Sequence, residues 1–448
     1  MSEDVRRRIE AALRAASSLV LGYLLVVIPT WNPVVARAAS ARLYVCQLLI
    51  GFLIVTGLAV WLVRREVRSL TVIVGLAVTY LAAQVLLTDR GSTVNRVVWG
   101  FRPLQPLLLA VAVAGLVPAT KALRWFAVAL GGGVIGIVLG LVGWIAPSID
   151  VTKIARPDIG WVSALGDIPR AIAGFVYPNN FGTFGAYLSV AGLWALLSRH
   201  DRRFRGLGGA AYLIGAAAIA ASGNRAGGLG WLAGAAFLGH RYHRGTEAST
   251  ERRRLTLLAV LGPIIVMGGT LLASPLARID GVHGVQGANH SSSTSFAEDR
   301  VVTAAGTSFS VRWADWKHTL STFVHHPLAG GGVVGRRTDN VFIMYLGATG
   351  ILGVVLLVLL ARACWFTIPI GGTVRRGWDA VSTPRTALLL VGGVSGLLQD
   401  SLGQPLVTWF PAVLIGLAVV HGRVPDVGCA PPGSYDPRGV SSVFDGPR

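Results

Sequence analysis

Arginine, histidine and aspartate crowd one stretch, Arg312 to Gly353, which reads RWADWKHTLSTFVHHPLAGGGVVGRRTDNVFIMYLGATGILG. Arg312, Arg336 and Arg337 carry planar guanidinium groups, which make bidentate hydrogen bonds to phosphate oxygens and stay charged at any workable pH. Anionic lipid headgroups attract the same groups. His318, His325 and His326 can exchange protons near neutral pH. His326, lying before Pro327, can equally be structural. Asp339 can cap a helix, act as a general base or pair with arginine. The stretch runs into an apolar segment, so a site built on it sits at a lipid surface and holds something anionic.

A metal site needs three or four converging ligands. Adjacent His325 and His326 in a turn do not readily face one ion, and the three cysteines at 46, 364 and 429 have no metal-ligand spacing. No metal and no cofactor is expected. A phosphate-binding Gly-Lys-Ser/Thr loop and a GxSxG elbow are both absent from the sequence, which leaves ATPase and serine hydrolase readings unsupported.

A second group lies upstream. Asn224 and Arg225 sit in the tight turn SGNRAGG between two apolar runs. A charge at that depth is costly and is either functional or a side chain reaching for headgroups. Asn180, in Tyr177-Pro178-Asn179-Asn180, opens another apolar run, where Pro suits a first helical turn and Asn a cap.

These residues need a scaffold, and composition names its class. The 448 residues are 53% hydrophobic and 14% charged. Apolar runs long enough to cross a hydrocarbon core recur along nearly the whole chain. Lipid offers no partners to backbone polar groups, and the runs lack the alternation of barrel strands. The expected fold is an all-α integral membrane protein of about 12 transmembrane helices. The spans fall near 17–36, 43–63, 69–88, 103–120, 125–146, 174–198, 207–222, 226–241, 255–273, 339–361, 386–402 and 405–421.

The domains follow from these spans. Residues 1–16 form an N-terminal segment, 17–273 hold spans one to nine, 274–338 a large loop, 339–421 spans ten to twelve, and 422–448 a Pro- and Gly-rich tail expected to be disordered. The net charge of +19 does not call for nucleic acid, because the positive-inside rule accounts for most of it. Arg6, Arg7, Arg8, Arg14, Arg64, Arg65, Arg68, Lys121, Arg124, Arg199, Arg202, Arg203, Arg205, Arg241, Arg244 and Arg252 to Arg254 fall on one side of this topology. Both termini are therefore expected in the cytoplasm, with 147–173 and 274–338 on the outer side. Ala36-Arg37-Ala38 mimics a signal-peptide cleavage site, but Pro29, Trp31 and Pro33 interrupt the segment before it, and no cleavage is expected.

The first half of the large loop is Gly/Ser-rich and reads as flexible. In its second half Phe309, Trp313, Trp316, Leu320 and Phe323 form one apolar stripe on a helix. That helix suits a membrane interface or the tops of the spans. Pro327 ends it, and Gly330, Gly331 and Gly332 let backbone approach a ligand closely. Asp339 and Asn340 then open span ten.

Taken in order, these pieces resemble the O-antigen ligase and O-antigen polymerase superfamily of bacterial envelope enzymes. That family has many spans and a large late extracytoplasmic loop. Its loop carries an Arg before an amphipathic helix, a His-Pro-Leu-x-Gly-x-Gly turn, and a His-Asn pair opening a span with Gly about ten residues on. Here stand Arg312, His326-Pro327-Leu328-Ala329-Gly330-Gly331-Gly332, Asp339-Asn340 and Gly350-Ile351-Leu352-Gly353. Asn180 and Asn224-Arg225-Ala226-Gly227 resemble the family's earlier pattern. The motifs cover about residues 175–360 and the topology the whole chain.

The resemblance implies transfer of a glycan from a polyprenyl-diphosphate carrier to a glycan or lipid acceptor, on the outer face of a bacterial cytoplasmic membrane. It implies substrate-binding roles for Arg225, Arg312, Arg336, Arg337, Asn340 and Asn180. The family's catalytic His aligns with Asp339, which leaves Asp339, His325 and His326 as candidates for the base. A polymerase extending lipid-linked repeats is the alternative. A lipid-linked oligosaccharide transporter is a further one, and it would be expected to carry more ionisable residues near midspan than this sequence does.

Overall fold

The computed structural model describes residues 2–29, 34–38, 41–64, 67–87, 93–145, 162–165, 168–171, 178–198, 201–245, 261, 263–265, 268, 307–331, 340–367, 382–398 and 405–421. The helices are α1 (Glu3–Val26), α2 (Val45–Val63), α3 (Val67–Leu87), α4 (Thr93–Leu116), α5 (Ala122–Ile145) and α6 (Pro178–Leu197). They continue with α7 (Arg202–Ser222), α8 (Arg225–Gly245), α9 (Thr307–His325), α10 (Val341–Thr367), α11 (Ser382–Leu398) and α12 (Pro405–His421). Two short antiparallel hairpins accompany them, β1–β2 (Val34–Ala38 with Ala41–Tyr44) and β3–β4 (Val162–Leu165 with Ile168–Ala171).

Among the described residues 8 helices, α1 to α7 and α10, are long and apolar enough to cross a membrane. Val55, Leu62, Val78, Ile135 and Val358 stand exposed on them. An apolar belt of this kind marks a surface that meets lipid. The protein is a helical membrane protein. The expected span at 255–273 lies almost wholly outside the described residues, as do most of the 274–338 loop, much of 147–173 and the tail.

Several helix bounds differ from the apolar runs, each for a local reason. α1 begins at Glu3, well before the apolar run, because Ser2 caps it, accepting from the Val5 amide, and Glu3 and Asp4 sit in its first turn. It ends at Val26, short of residue 36, just before Pro29 and Pro33. α4 begins at Thr93 rather than near 103, and it holds Arg96, Arg102, Pro103 and Pro106. Packing on α3 sustains the early start: Arg96 Nη1 donates to the Val85 carbonyl at 2.7 Å, and a Cβ on Gly100 would lie 3.2 Å from Gln84 Cγ.

The centre of the bundle is α6, which is buried nearly all round and packs on α5, α7, α8, α11 and α12. Small residues let α6 and α7 approach closely. A Cβ on Gly192 would lie 2.6 Å from the Gly208 carbonyl oxygen, and one on Gly208 would lie 2.8 Å from the Gly192 oxygen. Between spans, where lipid tails are as apolar as leucine, such backbone contact and interhelical hydrogen bonds carry the association. Ser189 Oγ donates to the Tyr212 carbonyl at 2.8 Å, and Trp231 Nε1 donates to Ser189 Oγ at 2.9 Å, which ties α6, α7 and α8 together.

Chain direction sorts the helix ends into two faces. Glu10 on α1 pairs with Arg14 and, at 2.8 Å, with Arg64 at the end of α2, while Arg14 also donates to the Gly115 carbonyl near the end of α4. The Phe126–Trp194–Phe204 cluster places the start of α5, the end of α6 and the start of α7 on this same Glu10 face. The start of α6, the α7–α8 turn, the start of α4 and the start of α10 lie on the opposite face, which carries Asn224.

Candidate functional site

The Asn224 face holds two built corners. The first joins the start of α6 to the α7–α8 turn. Gly223 ends α7 in the left-handed conformation (φ 60°), which reverses the chain within one residue. Asn224 follows, only 3% exposed. Its Oδ1 accepts from the Gly227 amide at 3.0 Å and so caps α8. Its Nδ2 donates to the Asn179 carbonyl at 2.6 Å and to Thr183 Oγ1 at 3.0 Å. The residue next to Gly223 therefore staples the first turn of α6 to the first turn of α8.

Arg225 is the first residue of α8 and is exposed. The rigid cap fixes where its backbone stands. The positive end of the α8 dipole adds to its own charge. Asn180, by contrast, is buried, and its Nδ2 has no hydrogen-bond partner. The sequence names Asn224 beside Arg225 and gives the binding roles to Arg225 and Asn180; the residue that organises the corner is Asn224.

Replacing Asn224 with Ala should lower stability by about 2 kcal/mol, since it removes the α8 cap and the hydrogen bonds that join α8 to α6. Asn224→Asp should cost as much, because a carboxylate oxygen would then face the Asn179 carbonyl. Thermal unfolding in detergent checks both; a melting point held by Asn224→Asp would show that the cap alone matters.

The second corner joins α9, the turn after it, and α10. α9 packs chiefly on α10 through Thr319 and Thr322, whose Cγ2 atoms lie where Cβ atoms of Gly347 and Gly331 would go. Asp315, on the same side, is buried. The expected apolar stripe lies beside this contact: Trp316, Leu320 and Phe323 are half-buried and Trp313 is exposed. Trp313 and Trp316 meet edge to face at 6.2 Å, with Lys317 Nζ 5.9 Å from the Trp313 ring.

Gly330 and Gly331, after Pro327, set their backbone against α10. α10 is broken at Gly350 (φ 62°, ψ −168°), a conformation open essentially to glycine alone. The break leaves amides without helical partners. The Pro327 and Leu328 carbonyls supply them, accepting from Ile351 N at 2.9 Å and Leu352 N at 3.2 Å. Gly331 N donates in return to the Gly347 carbonyl at 2.9 Å. Gly330 is also left-handed (φ 74°), and a Cβ there would strike the Ala348 backbone. Thus the glycine-rich turn brings backbone against the broken helix α10.

His325 and His326 end α9 and are exposed. His325 Nδ1 lies 2.7 Å from the Ser321 carbonyl. The His326 carbonyl accepts from Gly330 N at 2.8 Å and closes the turn. Asn340, 6% exposed, caps α10 through Oδ1, which accepts from Phe342 N at 3.0 Å and Ile343 N at 3.1 Å. The cap at the start of span ten is therefore Asn340. Arg336, Arg337 and Asp339 lie outside the described residues. Arg312 falls within α9 by its backbone, and its side chain lies outside them. Among the described residues no cluster of three or more His, Cys, Asp or Glu could hold a metal.

The two corners share a face and are bridged by packing, since α8 packs on α11 and α11 on α10. The sequence reading passed over Arg102, a cation inside a spanning helix with its guanidinium stacked 3.6 Å from the Trp99 ring centroid. The signal was present as an Arg three residues after a Trp, but the apolar run was read from Pro103 onward.

No protein-family model matches the chain, and no curated protein matches it either.

Proposed function

We propose that this protein is an inverting glycosyltransferase that moves a glycan from a polyprenyl-diphosphate carrier to a glycan or lipid acceptor at the outer face of a bacterial cytoplasmic membrane. The observation that carries this reading is the first corner: an exposed Arg225, set at a helix N-terminus by the buried Asn224 staple, on the face that also bears α9 and the break in α10. A cation held at the end of a span is placed to meet an anion at headgroup depth.

On this reading the chain crosses the membrane about twelve times with both termini in the cytoplasm, and the Asn224 face is extracytoplasmic. The basic residues of the Glu10 face favour that orientation. Arg225 and Arg312, joined by Arg336 or Arg337, hold the diphosphate and stabilise the charge that grows on it as the glycosidic bond breaks. The acceptor hydroxyl loses its proton to Asp339, His325 or His326, and its oxygen attacks the anomeric carbon from the side opposite the leaving diphosphate. The configuration inverts, and free polyprenyl diphosphate departs. The exposure of His325 and His326 suits contact with a glycan arriving from outside.

The test follows release of polyprenyl diphosphate by the purified protein in nanodiscs, supplied with lipid-linked glycan and envelope acceptors. Acceptor-dependent release that Arg312→Ala and Asp339→Asn both abolish is the expected result. Survival of Asp339→Asn with loss of Arg312→Ala moves the base to His325 or His326. Absence of release with any acceptor, together with donor translocation, would overturn the reading in favour of transport.

A further inference from the structure

The apolar stripe of α9 fits either a membrane interface or a seat on the tops of the spans, and two observations separate these. The first is the level at which α9 is fastened to α10. Thr319 fills the place of a Cβ on Gly347, and Thr322 fills that of a Cβ on Gly331, whose amide donates to the Gly347 carbonyl at 2.9 Å. The turn after α9 reaches lower, since the Leu328 carbonyl accepts from Leu352 N at 3.2 Å. α9 is thus held beside the break at Gly350 and not at the first turn of α10. With 27 residues, α10 is about 40 Å long at 1.5 Å per residue, more than a hydrocarbon core of about 30 Å requires. The part from Gly350 to Thr367 is about 27 Å long, within the range that crosses such a core. Its exposed apolar side chains, Ile351, Leu352, Val355, Val358 and Leu359, begin directly at the break, whereas above it only Phe342 is exposed.

The second observation is how α9 is sided. Thr319 and Thr322, with buried Asp315, mark the side toward α10. Phe323, Trp316, Leu320, Trp313 and Val324 then follow one another round one flank of the helix. Lys317, Ser321, Ala314, His325 and His318 follow round the other, and all five are exposed. A helix fastened sideways to a span, with an apolar flank and a polar flank on either side of the contact, lies with one flank in lipid and the other in water. A seat on the tops of the spans would bury the apolar flank, yet Trp313 is 46% and Val324 70% exposed. Leu328, also exposed, carries this apolar surface from Val324 to Leu352 and so joins it to the lipid-facing belt of α10. Lys317 Nζ, 5.9 Å from the Trp313 ring, stands where the two flanks meet, as a cation at headgroup level would.

We propose that α9 lies in the lipid–water boundary of the leaflet on the Asn224 face, with Trp313, Val324 and Leu328 immersed in lipid. The bilayer surface then meets α10 at its break, and the turns from Val341 to Gly347 stand outside the lipid. Lys317, His318 and His325 face the water just above the headgroups. The clasp between the Pro327–Leu328 turn and Gly350 is what holds the helix at that depth. This placement concerns the lipid surface alone, so it stands or falls independently of whether the protein transfers glycans.

The test places nitroxide labels on single cysteines of the full-length protein in phosphatidylcholine and phosphatidylglycerol nanodiscs. Cys429→Ser serves as background, since Cys46 and Cys364 are buried. Collision with oxygen, which concentrates in lipid, is compared with collision with a nickel chelate, which stays in water. The oxygen-to-nickel ratio at Val324→Cys and Leu328→Cys should approach that at Val355→Cys and exceed that at Ser321→Cys and Phe342→Cys by roughly fivefold or more, as immersion of one flank only requires. Ratios at 324 and 328 equal to that at 321 would show a flank open to water and overturn the proposal. Labels at 324 and 328 that neither reagent reaches would show a flank covered by a second copy of the chain, which overturns it equally. The protein without cysteine substitutions gives an independent reading through phosphatidylcholine carrying a diazirine at the top of its acyl chain, with adducts mapped by mass spectrometry. Adducts are expected between Trp313 and Leu328 as well as between Ile351 and Leu359; adducts confined to Ile351–Leu359 would overturn the placement of α9.

Discussion

Gly350→Ala is expected to unfasten the turn after α9 from the membrane helix it grips, lowering stability by about 4 kcal/mol. Two effects add. The φ of 62° with ψ of −168° is essentially closed to a residue with a side chain. The new Cβ would also fall on the Leu328 carbonyl, the group that accepts from Leu352 N. The turn must move, and the amides of Ile351 and Leu352 then lose their acceptors inside the bundle. Gly330→Ala should behave alike, because its Cβ strikes the Ala348 backbone from the other side. Gly75 on α3 has open space around its Cβ position, so Gly75→Ala is the control and should be neutral or slightly stabilising. Thermal unfolding in detergent separates them. Equal melting points for Gly350→Ala and Gly75→Ala would show that the clasp between the turn and α10 carries no stability.

The second large effect concerns chemistry. Under the proposed transfer reaction, Arg225→Ala should reduce diphosphate release by about 100- to 1000-fold, the usual consequence of removing one preorganised group from a developing negative charge. Its melting point should stay near wild type, since the side chain is exposed and the cap belongs to Asn224. Arg225→Lys decides between two roles. A side chain that merely reaches for headgroups is replaced adequately by lysine, which also snorkels. A group that grips a diphosphate with two parallel N–H bonds is not, because an ammonium offers a point charge. Full activity in Arg225→Lys would therefore remove Arg225 from the diphosphate site, and a deficit of about tenfold or more would keep it there.

Much of the scaffold was legible because lipid leaves few options. An apolar run of span length must be helical, and α12 at Pro405–His421 matches the run at 405–421. α6 likewise starts at Pro178, where proline fits a first turn. The helix bearing Trp313 and Trp316 was visible as a periodic stripe, and its end at His325 follows from Pro327. The beginning of α4 was not legible in the same way. Arg96, Arg102 and two prolines all argue against a span in a local window, and only contact with α3 supplies what the window lacks.

The same division runs through the candidate site. Arg225 stood out because a charge in a tight turn between apolar runs is unusual whatever surrounds it. Asn224 was visible in the same turn, but its role was not, because its partners are Asn179 and Thr183, more than forty residues earlier in the chain. Asn340 and Asp339 are equally good caps by type, and the hydrogen bonds to Phe342 N and Ile343 N select Asn340.

By itself the sequence determined that this chain is a bundle of membrane helices with arginine and histidine gathered around the loop before Asn340, since hydropathy and charge act through solvent and need no partner. Only the tertiary structure decided that α10 breaks at Gly350, that the Gly330–Gly331 turn closes that break, and that Asn224 staples α6 to α8. Each of these depends on which backbone donors and acceptors meet across helices distant in the chain, and that is fixed by packing rather than by any local run of residues.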